Sequence, residues 1–120
     1  DILGLHKNSN DTVGDWVLYL VYDESTGEDA KVGIGKAEDV MPTLNNANRR
    51  AETSARKVRK DEKFKKARAI ILSEHSNITK GEMKEIEAAK VRELREQGHQ
   101  LPYNKERDKR YQPGYKNEKC

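Results

Sequence analysis

Residues 17–35 constrain the fold of this chain more than any other stretch, because their pattern suits a pair of strands. Seven polar or small residues separate two apolar runs, Val17-Leu18-Tyr19-Leu20-Val21-Tyr22 and Ala30-Lys31-Val32-Gly33-Ile34-Gly35. β-Branched and aromatic runs on either side of a loop that contains Gly are typical of a β-hairpin. In the first run, both sets of alternating residues are apolar. We therefore expect a central strand that is covered on both faces.

The rest of the chain predicts one more strand and two helices. Alanines at four-residue spacing predict a helix over residues 43–59, and the apolar run at residues 67–73 predicts a third strand. Thr79 and Glu82 fit a capping box, which predicts a second helix from residue 79 to about residue 97, ended by Gly98. Residues 101–104 are expected to return as an extended segment. The predicted fold class is α+β, with a small three-stranded antiparallel sheet flanked by helices.

Length and charge predict one domain with a charge-dense surface. At 120 residues the chain suits a single domain. We expect a leader loop at residues 1–14, where turn-forming residues cluster, the domain at residues 15–104, and a basic tail at residues 105–120. Residues 49–68 hold ten bases against three acids, and the tail adds six bases. This excess suits a polyanionic partner, although a solvated helix face explains the same charges.

Cysteine usage and hydropathy bear on the compartment. Cys120 is the only cysteine, so an internal disulfide is excluded and a reducing, cytoplasmic setting is expected. The apolar runs are shorter than a membrane helix or a signal sequence requires, which predicts no membrane partner. The chain begins with Asp1 and not with Met, which predicts a fragment or a processed piece whose flanking domains are missing.

Glu87 is the most informative residue of the second predicted helix. The helical wheel places Glu87 and Lys90 inside the apolar stripe, which consists of Met83, Ile86, Val91 and Leu94. A carboxylate on the core-facing side costs several kcal/mol unless a cation or a metal ion compensates it. Glu87 is therefore either a functional group or a structural ion-pair partner, of Lys90 or of an Arg across the sheet.

The order of these features resembles the GIY-YIG endonuclease family over residues 16–104. Val17-Leu18-Tyr19 matches the first triplet and Lys31-Val32-Gly33 the second, and an Arg, a helical Glu and an Asn after a Pro follow in the family's order. The chain departs from the family pattern in three places. Lys31 stands where Tyr is most frequent, and the Arg lies farther from the second triplet. The family's further His or Tyr near the Arg has no clear match. Arg49 and Arg50 both suit the Arg position, and the helical wheel favours Arg50, which is nearer the sheet-facing stripe.

The resemblance implies a metal-dependent endonuclease that hydrolyses DNA phosphodiester bonds, of the restriction, homing, or phage and mobile-element type. One Mg²⁺ or Mn²⁺ per active site is expected, held by Glu87 and by phosphate oxygens. Tyr19, assisted by Lys31, is expected to orient or deprotonate the attacking water. Arg50 is expected to clamp the phosphate, and Asn104 to order the site through hydrogen bonds to the hairpin. Further DNA contacts are expected from Lys36, Arg49, Arg56 and Lys105.

The loop at residues 36–46 and the tail are expected to bind DNA without taking part in the chemistry. The bases of the tail are interleaved with aromatic side chains, Tyr103, Tyr111 and Tyr115, which suit unstacked bases. One active site cuts one strand, so duplex cleavage implies a homodimer or sequential nicking, and sequence specificity implies an additional domain in a longer chain.

Two other functions stay open at this point. The same fold can serve as a non-catalytic DNA- or RNA-binding module, in which the basic residues 49–68 grip phosphates. It can also serve as a protein-interaction domain of a phage or mobile element, in which Glu87 is only an ion-pair partner.

Overall fold

The computed structural model describes residues 11–104 and has an α+β architecture. Its strands and helices, in chain order, are β1 (Val13–Asp23), β2 (Asp29–Lys36), β3 (Val40–Met41), β4 (Ala47–Asn48), α1 (Arg49–Val58), β5 (Ala67–Thr79) and α2 (Lys80–Glu96). Strands β2, β1 and β5 form, in that order, an antiparallel three-stranded sheet, and β3 pairs with β4. The predicted fold class is therefore confirmed.

Strand β1 is central and buried on both faces, as its apolar alternation predicts. Tyr19 and Val21 belong to a core that α1 closes on one face of the sheet. Trp16 and Leu18 belong to a second core, which α2 closes on the other face. The two helices therefore cover opposite faces of the sheet, and both side-chain sets of β1 leave water, which is the main favourable term in forming this fold.

Helix α1 begins at Arg49 and not at residue 43 as predicted, because asparagines interrupt the helical path. Asn45 and Asn46 have left-handed φ angles of 58° and 61°, which end a short 3₁₀ turn. Asn residues adopt this conformation more readily than most side chains. The Asn48 side chain then caps α1 by accepting a hydrogen bond from the backbone amide three residues on. Leu44, which lies within the predicted bounds of this helix, is 49% exposed.

Helix α2 begins where the capping box predicts. The Glu82 amide donates a hydrogen bond to the Thr79 hydroxyl, and the Thr79 amide donates one to the Glu82 carboxylate. The helix ends at Glu96, and Gly98 has a φ of 100°, a conformation that favours Gly. The second predicted helix is therefore confirmed.

Residues 101–104 form a turn, so the extended return predicted for them is wrong. Leu101 has a φ of 49° and is fully buried in the core on the α2 side of the sheet. The Asn104 amide donates to the Leu101 carbonyl and closes the turn. The guanidinium of Arg95, the penultimate residue of α2, donates to the carbonyls of Leu101 and Asn104 over 3.2 and 3.1 Å. These contacts hold the turn against the end of the helix.

The sheet extends beyond the predicted limits of its strands. Val13 and Gly14 pair with Thr79 and Ile78, so the last residues of the predicted leader belong to β1. Strand β5 continues past residue 73 because β1 still offers it a partner. The predicted leader up to residue 10 and the tail from residue 105 lie outside the described residues. No helix within residues 11–104 is long and apolar enough to cross a membrane.

Candidate active site

Tyr19 lies at the centre of a polar cluster between the sheet and α1. Its phenol oxygen is 2.7 Å from the hydroxyl of Ser54 on α1, and both residues are buried. The Lys31 ammonium, on the neighbouring strand β2, donates to the same hydroxyl over 3.3 Å. The buried Ser54 hydroxyl therefore links a tyrosine of β1 to a lysine of β2.

Two glycines of β2 allow this cluster to form. Gly33 pairs directly with Tyr19 across the hairpin. A Cβ atom on Gly33 would lie 2.4 Å from both Cζ and the phenol oxygen of Tyr19, a distance that real Cβ atoms do not adopt. A Cβ atom on Gly35 would lie 2.7 Å from Oδ1 of Asn48 and 3.0 Å from Cβ of Arg50. The glycines therefore let the tyrosine ring and the start of α1 approach the strand backbone.

Burial raises the pKa of Tyr19 above its ordinary value of 10.0. The hydrogen bond with Ser54 and the positive charge of Arg50 act in the opposite direction, and the negative charge of Glu87 adds to the rise. Desolvation outweighs the lowering effects. Tyr19 is therefore a protonated phenol at neutral pH, which can donate a hydrogen bond but does not act as a base.

The pKa of Lys31 changes in the opposite direction. Burial is the largest cause that lowers it, and the positive charge of Arg50 lowers it further, with a smaller effect from Lys57. The carboxylate of Glu87 opposes both effects and raises the pKa. Lys31 therefore releases its proton more readily than an ordinary lysine, while still lying close to a compensating negative charge.

Glu87, on α2 at the other face of the sheet, acts on this cluster through its charge. Its charge acts on both Tyr19 and Lys31, as does the charge of Arg50 from α1. Glu87 is half-buried, in agreement with its predicted place on the inner side of the helix. Lys90, one of the ion-pair partners that the sequence suggests for Glu87, forms an ion pair with Glu93 over 2.6 Å.

The structure separates the two arginines that the sequence leaves as alternatives. Arg49 donates to Asp39 over 2.9 Å and to the carbonyl of Val40 over 3.4 Å, so its side chain holds the loop at residues 36–46. Arg50 lies against Gly35 and its charge acts on Tyr19 and Lys31. Arg50 is therefore the arginine that belongs to the cluster. The DNA contact predicted for Arg49, whose side chain holds the loop, stays a prediction.

Helix α1 presents a second base to the cluster that the sequence interpretation missed. Lys57, near the end of this helix, is the base whose charge acts on Lys31. The neighbouring Arg56 is exposed, and the DNA contact predicted for it stays a prediction. A signal for this was available, because Arg50, Ser54 and Lys57 follow the i, i+4, i+7 spacing of one helix face. Ser54 also lies beside the alanine stripe, where a polar residue is unexpected.

A rim of bases lies next to Arg50. Burial lowers the pKa of Lys80 first, and the charges of Lys84, Arg50 and Lys36 lower it further. Lys80, at the start of α2, therefore lies within the range at which the charges of Lys84, Arg50 and Lys36 act on it. Lys36 is a predicted DNA contact, but Lys80 and Lys84 were not predicted. Both share the i, i+4, i+7 face of α2 with Glu87, a spacing that would have indicated them.

Asn104 hydrogen-bonds to the hairpin, the arrangement that the sequence prediction gives it. Its side-chain amide donates to the carbonyl of Val32 over 3.0 Å, and its side-chain oxygen accepts from the Val32 amide over 2.9 Å. Val32 lies between Lys31 and Gly33 on the edge of β2 that faces away from β1. The buried Asn104 therefore supplies the missing partners of that backbone and fixes the position from which Lys31 projects.

Tyr103 is 40% exposed and is held by two side chains. Its ring makes a T-shaped contact with Phe64, with 5.9 Å between the ring centroids, and its hydroxyl donates to Asp61. The role predicted for Tyr103 in stacking bases stays a prediction. Lys105, predicted to contact DNA, and Tyr111 and Tyr115, predicted to stack on bases, lie outside the described residues.

The side chains of the cluster fit only an open metal site, in which the protein supplies few of the ligands. Within residues 11–104, no three His, Cys, Asp or Glu side chains come together to hold a metal ion. Glu87 is the carboxylate whose charge acts on Tyr19 and Lys31. A Mg²⁺ ion binds in such places through one or two carboxylates, substrate phosphates and several waters. The residues therefore fit an ion whose coordination is completed by substrate.

Comparison with protein-family models, with curated proteins and with solved structures finds no match for this chain. The resemblance of residues 16–104 to the GIY-YIG family therefore stays a prediction. The chemistry of the cluster has to be inferred from its own geometry and charges.

Proposed function

We propose that this protein is a metal-dependent endonuclease that hydrolyses phosphodiester bonds of DNA. One observation carries the proposal: the charges of Arg50 and Glu87, from the two helices, both act on Tyr19 and on Lys31, from two neighbouring strands. A lysine of lowered pKa, a buried phenol, a carboxylate and an arginine are groups that suit phosphoryl transfer to water. These are also the residues that the resemblance to GIY-YIG nucleases selects.

Arg50 and the basic rim supply the affinity for the substrate. The guanidinium of Arg50 is suited to two parallel hydrogen bonds with the scissile phosphate, and its charge stabilises the negative charge that develops there. The charges of Arg50, Lys36 and Lys84 all act on Lys80, and these three lysines suit the neighbouring phosphates of the DNA strand. The cluster therefore binds DNA through the sugar-phosphate backbone, which carries no sequence information by itself.

Tyr19 and Lys31 have different roles toward the attacking water. Because Tyr19 stays protonated, its hydroxyl can orient the attacking water by a hydrogen bond but does not remove a proton from it. Lys31 has a lowered pKa and is the better candidate for the general base in its neutral form. Ser54 keeps both groups in place by its two hydrogen bonds.

Glu87 is the residue that would hold the metal ion, together with phosphate oxygens. When bound there, Mg²⁺ or Mn²⁺ supplies a Lewis acid for the phosphate and lowers the pKa of a coordinated water. The Glu87 carboxylate also balances the charges of Lys31 and Arg50 before substrate binds. We infer a cytoplasmic setting for this activity, since Cys120 is the only cysteine of the chain.

The direct test is incubation of the purified protein with supercoiled plasmid DNA. We expect nicked circles, followed by linear DNA, in the presence of Mg²⁺ or Mn²⁺, and no conversion when a chelator is added. A salt-dependent gel shift without any nicking would instead support the non-catalytic binding module. The absence of both results would leave the protein-interaction domain as the remaining interpretation.

Cleavage is expected to become faster as the pH rises, until Lys31 has lost its proton. The pKa of Lys31 lies below the ordinary value of 10.5, so its neutral form becomes populated at lower pH than in a surface lysine. Lys31→Arg keeps the charge but stays protonated throughout, so we expect a low rate without this pH dependence. Single-turnover cleavage rates between about pH 6 and 10 measure the effect, because this interval leads up to the ordinary lysine pKa.

Lys57→Arg is the matched control for this measurement, since it preserves the second positive charge near Lys31. We expect the control to keep the pH profile of the wild type. A Lys31→Arg variant with the wild-type profile would contradict the assignment of Lys31 as the base.

A further inference from the structure

Strand β5 lies at an edge of the sheet, and no further strand within residues 11–104 pairs with its outer side. The opposite edge, on β2, is occupied by the turn at residues 101–104, because Asn104 bonds to Val32 and the Tyr103 amide donates to Ala30. Strand β5 pairs only with β1 in the described part of the chain. An edge strand presents a row of backbone donors and acceptors that can pair with another strand.

The centre of this edge is apolar and exposed. Ile70, Ile71 and Leu72 are 43%, 43% and 37% exposed, and they follow one another in the sequence. Consecutive residues of a strand point to opposite faces, so the edge exposes apolar side chains on both sides of the sheet. Soluble domains usually blunt such an edge with Pro or charges, and residues 69–72 contain neither.

The pairing register locates the regular part of the edge. Strands β1 and β5 pair without interruption over residues 67–71 of β5, and the register then shifts, leaving Leu72 as an extra residue. Such a bulge bends the strand. The Ala67 carbonyl already accepts a hydrogen bond from the Arg59 guanidinium over 2.9 Å, so the edge that is open to a partner strand begins at Arg68.

The charges on either side of the apolar centre have opposite signs. Lys65, Lys66 and Arg68 precede it, and Glu74 follows it. All four side chains are exposed, and Arg68 also forms an ion pair with Glu24 of its own chain over 3.0 Å. Two copies of this strand in antiparallel orientation bring the basic end of each beside the acidic end of the other, whereas a parallel pair would align like charges. The edge is thus complementary to itself in one orientation.

A cleft alongside β5 offers room for the side chains of an incoming strand. It has a volume of about 710 Å³ and is lined on one side by the β5 residues Ala67, Arg68, Ala69 and Ile70. Glu52 and Arg59 of α1 line its other side and supply charges of both signs. A strand added at the edge would enter this cleft with one of its faces.

We propose that the chain forms a two-fold symmetric dimer in which the β5 strands of two copies pair antiparallel through residues 68–74, with Ile71 of one copy opposite Ile71 of the other. The interface is the same patch on both copies, as closed two-fold symmetry requires. The paired strands join the two three-stranded sheets into one continuous sheet. Each copy keeps its own Tyr19 cluster, because the cluster lies between β1, β2 and the helices and does not include the β5 edge.

Sedimentation velocity over a concentration series tests the dimer. We expect the full wild-type chain to sediment as a dimer and Ile71→Lys to sediment as a monomer, because a lysine on each copy would face the other across the pair. Leu44→Lys is the matched control, since Leu44 is 49% exposed on a turn away from β5. This control is expected to remain dimeric. A wild-type chain that stays monomeric at about 100 μM, a concentration at which even weak specific pairs associate, overturns the proposal.

A charge exchange tests the orientation and does not depend on the stability of Ile71→Lys. Arg68→Glu alone places acids opposite Glu74 at both ends of the pair and is expected to weaken the dimer at least tenfold. Arg68→Glu combined with Glu74→Arg restores opposite charges and is expected to recover most of the affinity. A double variant as weak as the single one overturns the antiparallel arrangement.

Failure of the dimer and failure of the nuclease proposal are distinguishable in the same samples. A monomeric protein that nicks plasmid overturns only the dimer. A dimer that neither nicks nor binds DNA overturns only the proposed function. Circular dichroism of each variant establishes that the fold is retained before sedimentation is interpreted.

Discussion

Glu87→Gln is expected to lower the rate of DNA cleavage by about three orders of magnitude, which corresponds to about 4 kcal/mol of transition-state stabilisation. Glutamine keeps the shape of the side chain but removes the negative charge that would hold a metal ion. The same charge acts on Tyr19 and Lys31, so its loss also leaves the neighbouring cations without compensation. Single-turnover assays with plasmid at saturating protein measure the rate. DNA binding is expected to persist or tighten, since one negative charge near the phosphates is gone.

The competing interpretation treats Glu87 as a structural ion-pair partner, and it makes a different prediction. Neutralising one member of a buried pair typically costs about 3–5 kcal/mol of stability. Thermal unfolding of Glu87→Gln therefore separates the two roles, because a metal-holding carboxylate is not needed for the fold. Glu85→Gln is the control, since Glu85 lies on the exposed side of α2. Wild-type cleavage by Glu87→Gln would rule out the proposed role.

Gly33→Ala is expected to reduce the free energy of unfolding by about 1–3 kcal/mol, the usual range for overpacking a well-packed core. The added Cβ atom would lie 2.4 Å from Cζ and from the phenol oxygen of Tyr19. Tyr19 is only 1% exposed, so its ring is surrounded by other atoms. Either the ring or the strand has to move. Because the Tyr19 hydroxyl is 2.7 Å from that of Ser54, a displaced ring also loses its position in the cluster. We therefore expect reduced cleavage together with reduced stability.

Gly14→Ala provides the matched control for this substitution. Gly14 is also in a strand of the sheet, but a Cβ atom there would come no closer than 3.7 Å to another residue, the Trp16 ring. Urea denaturation followed by circular dichroism compares the two variants with the wild type. We expect a lower midpoint for Gly33→Ala and little change for Gly14→Ala. Equal midpoints would show that the close approach of Tyr19 to Gly33 is not required.

Local pattern by itself determined several features of this protein. The alternation in residues 17–22 predicts the buried central strand, and the capping box at Thr79 predicts the start of α2. The helical wheel places Glu87 on the inner side of that helix, where the structure has it half-buried. These features follow from the sequence because periodicities of two and of 3.6 residues, and capping by a neighbouring side chain, act over a few residues only.

Other features depend on residues that are far apart in the chain, and only the tertiary structure decided them. The sequence does not separate Arg49 from Arg50 by spacing. In the structure Asp39 pairs with the first, while the second lies against Gly35 beside Tyr19. The pKa values of Tyr19 and Lys31 likewise depend on burial by α1, which no local pattern reveals.

The turn at residues 101–104 shows the same limit most clearly. A Leu-Pro-Tyr-Asn segment suits an extended chain by its own preferences. It bends instead because Leu101 enters the core on the α2 side and Arg95 bonds to its carbonyl and to that of Asn104. Asn104 is thereby brought against Val32, which is 72 residues earlier in the chain. Contacts over such separations arise only when the helix has packed on the sheet, so sequence pattern determined the elements of this protein and tertiary packing determined its site.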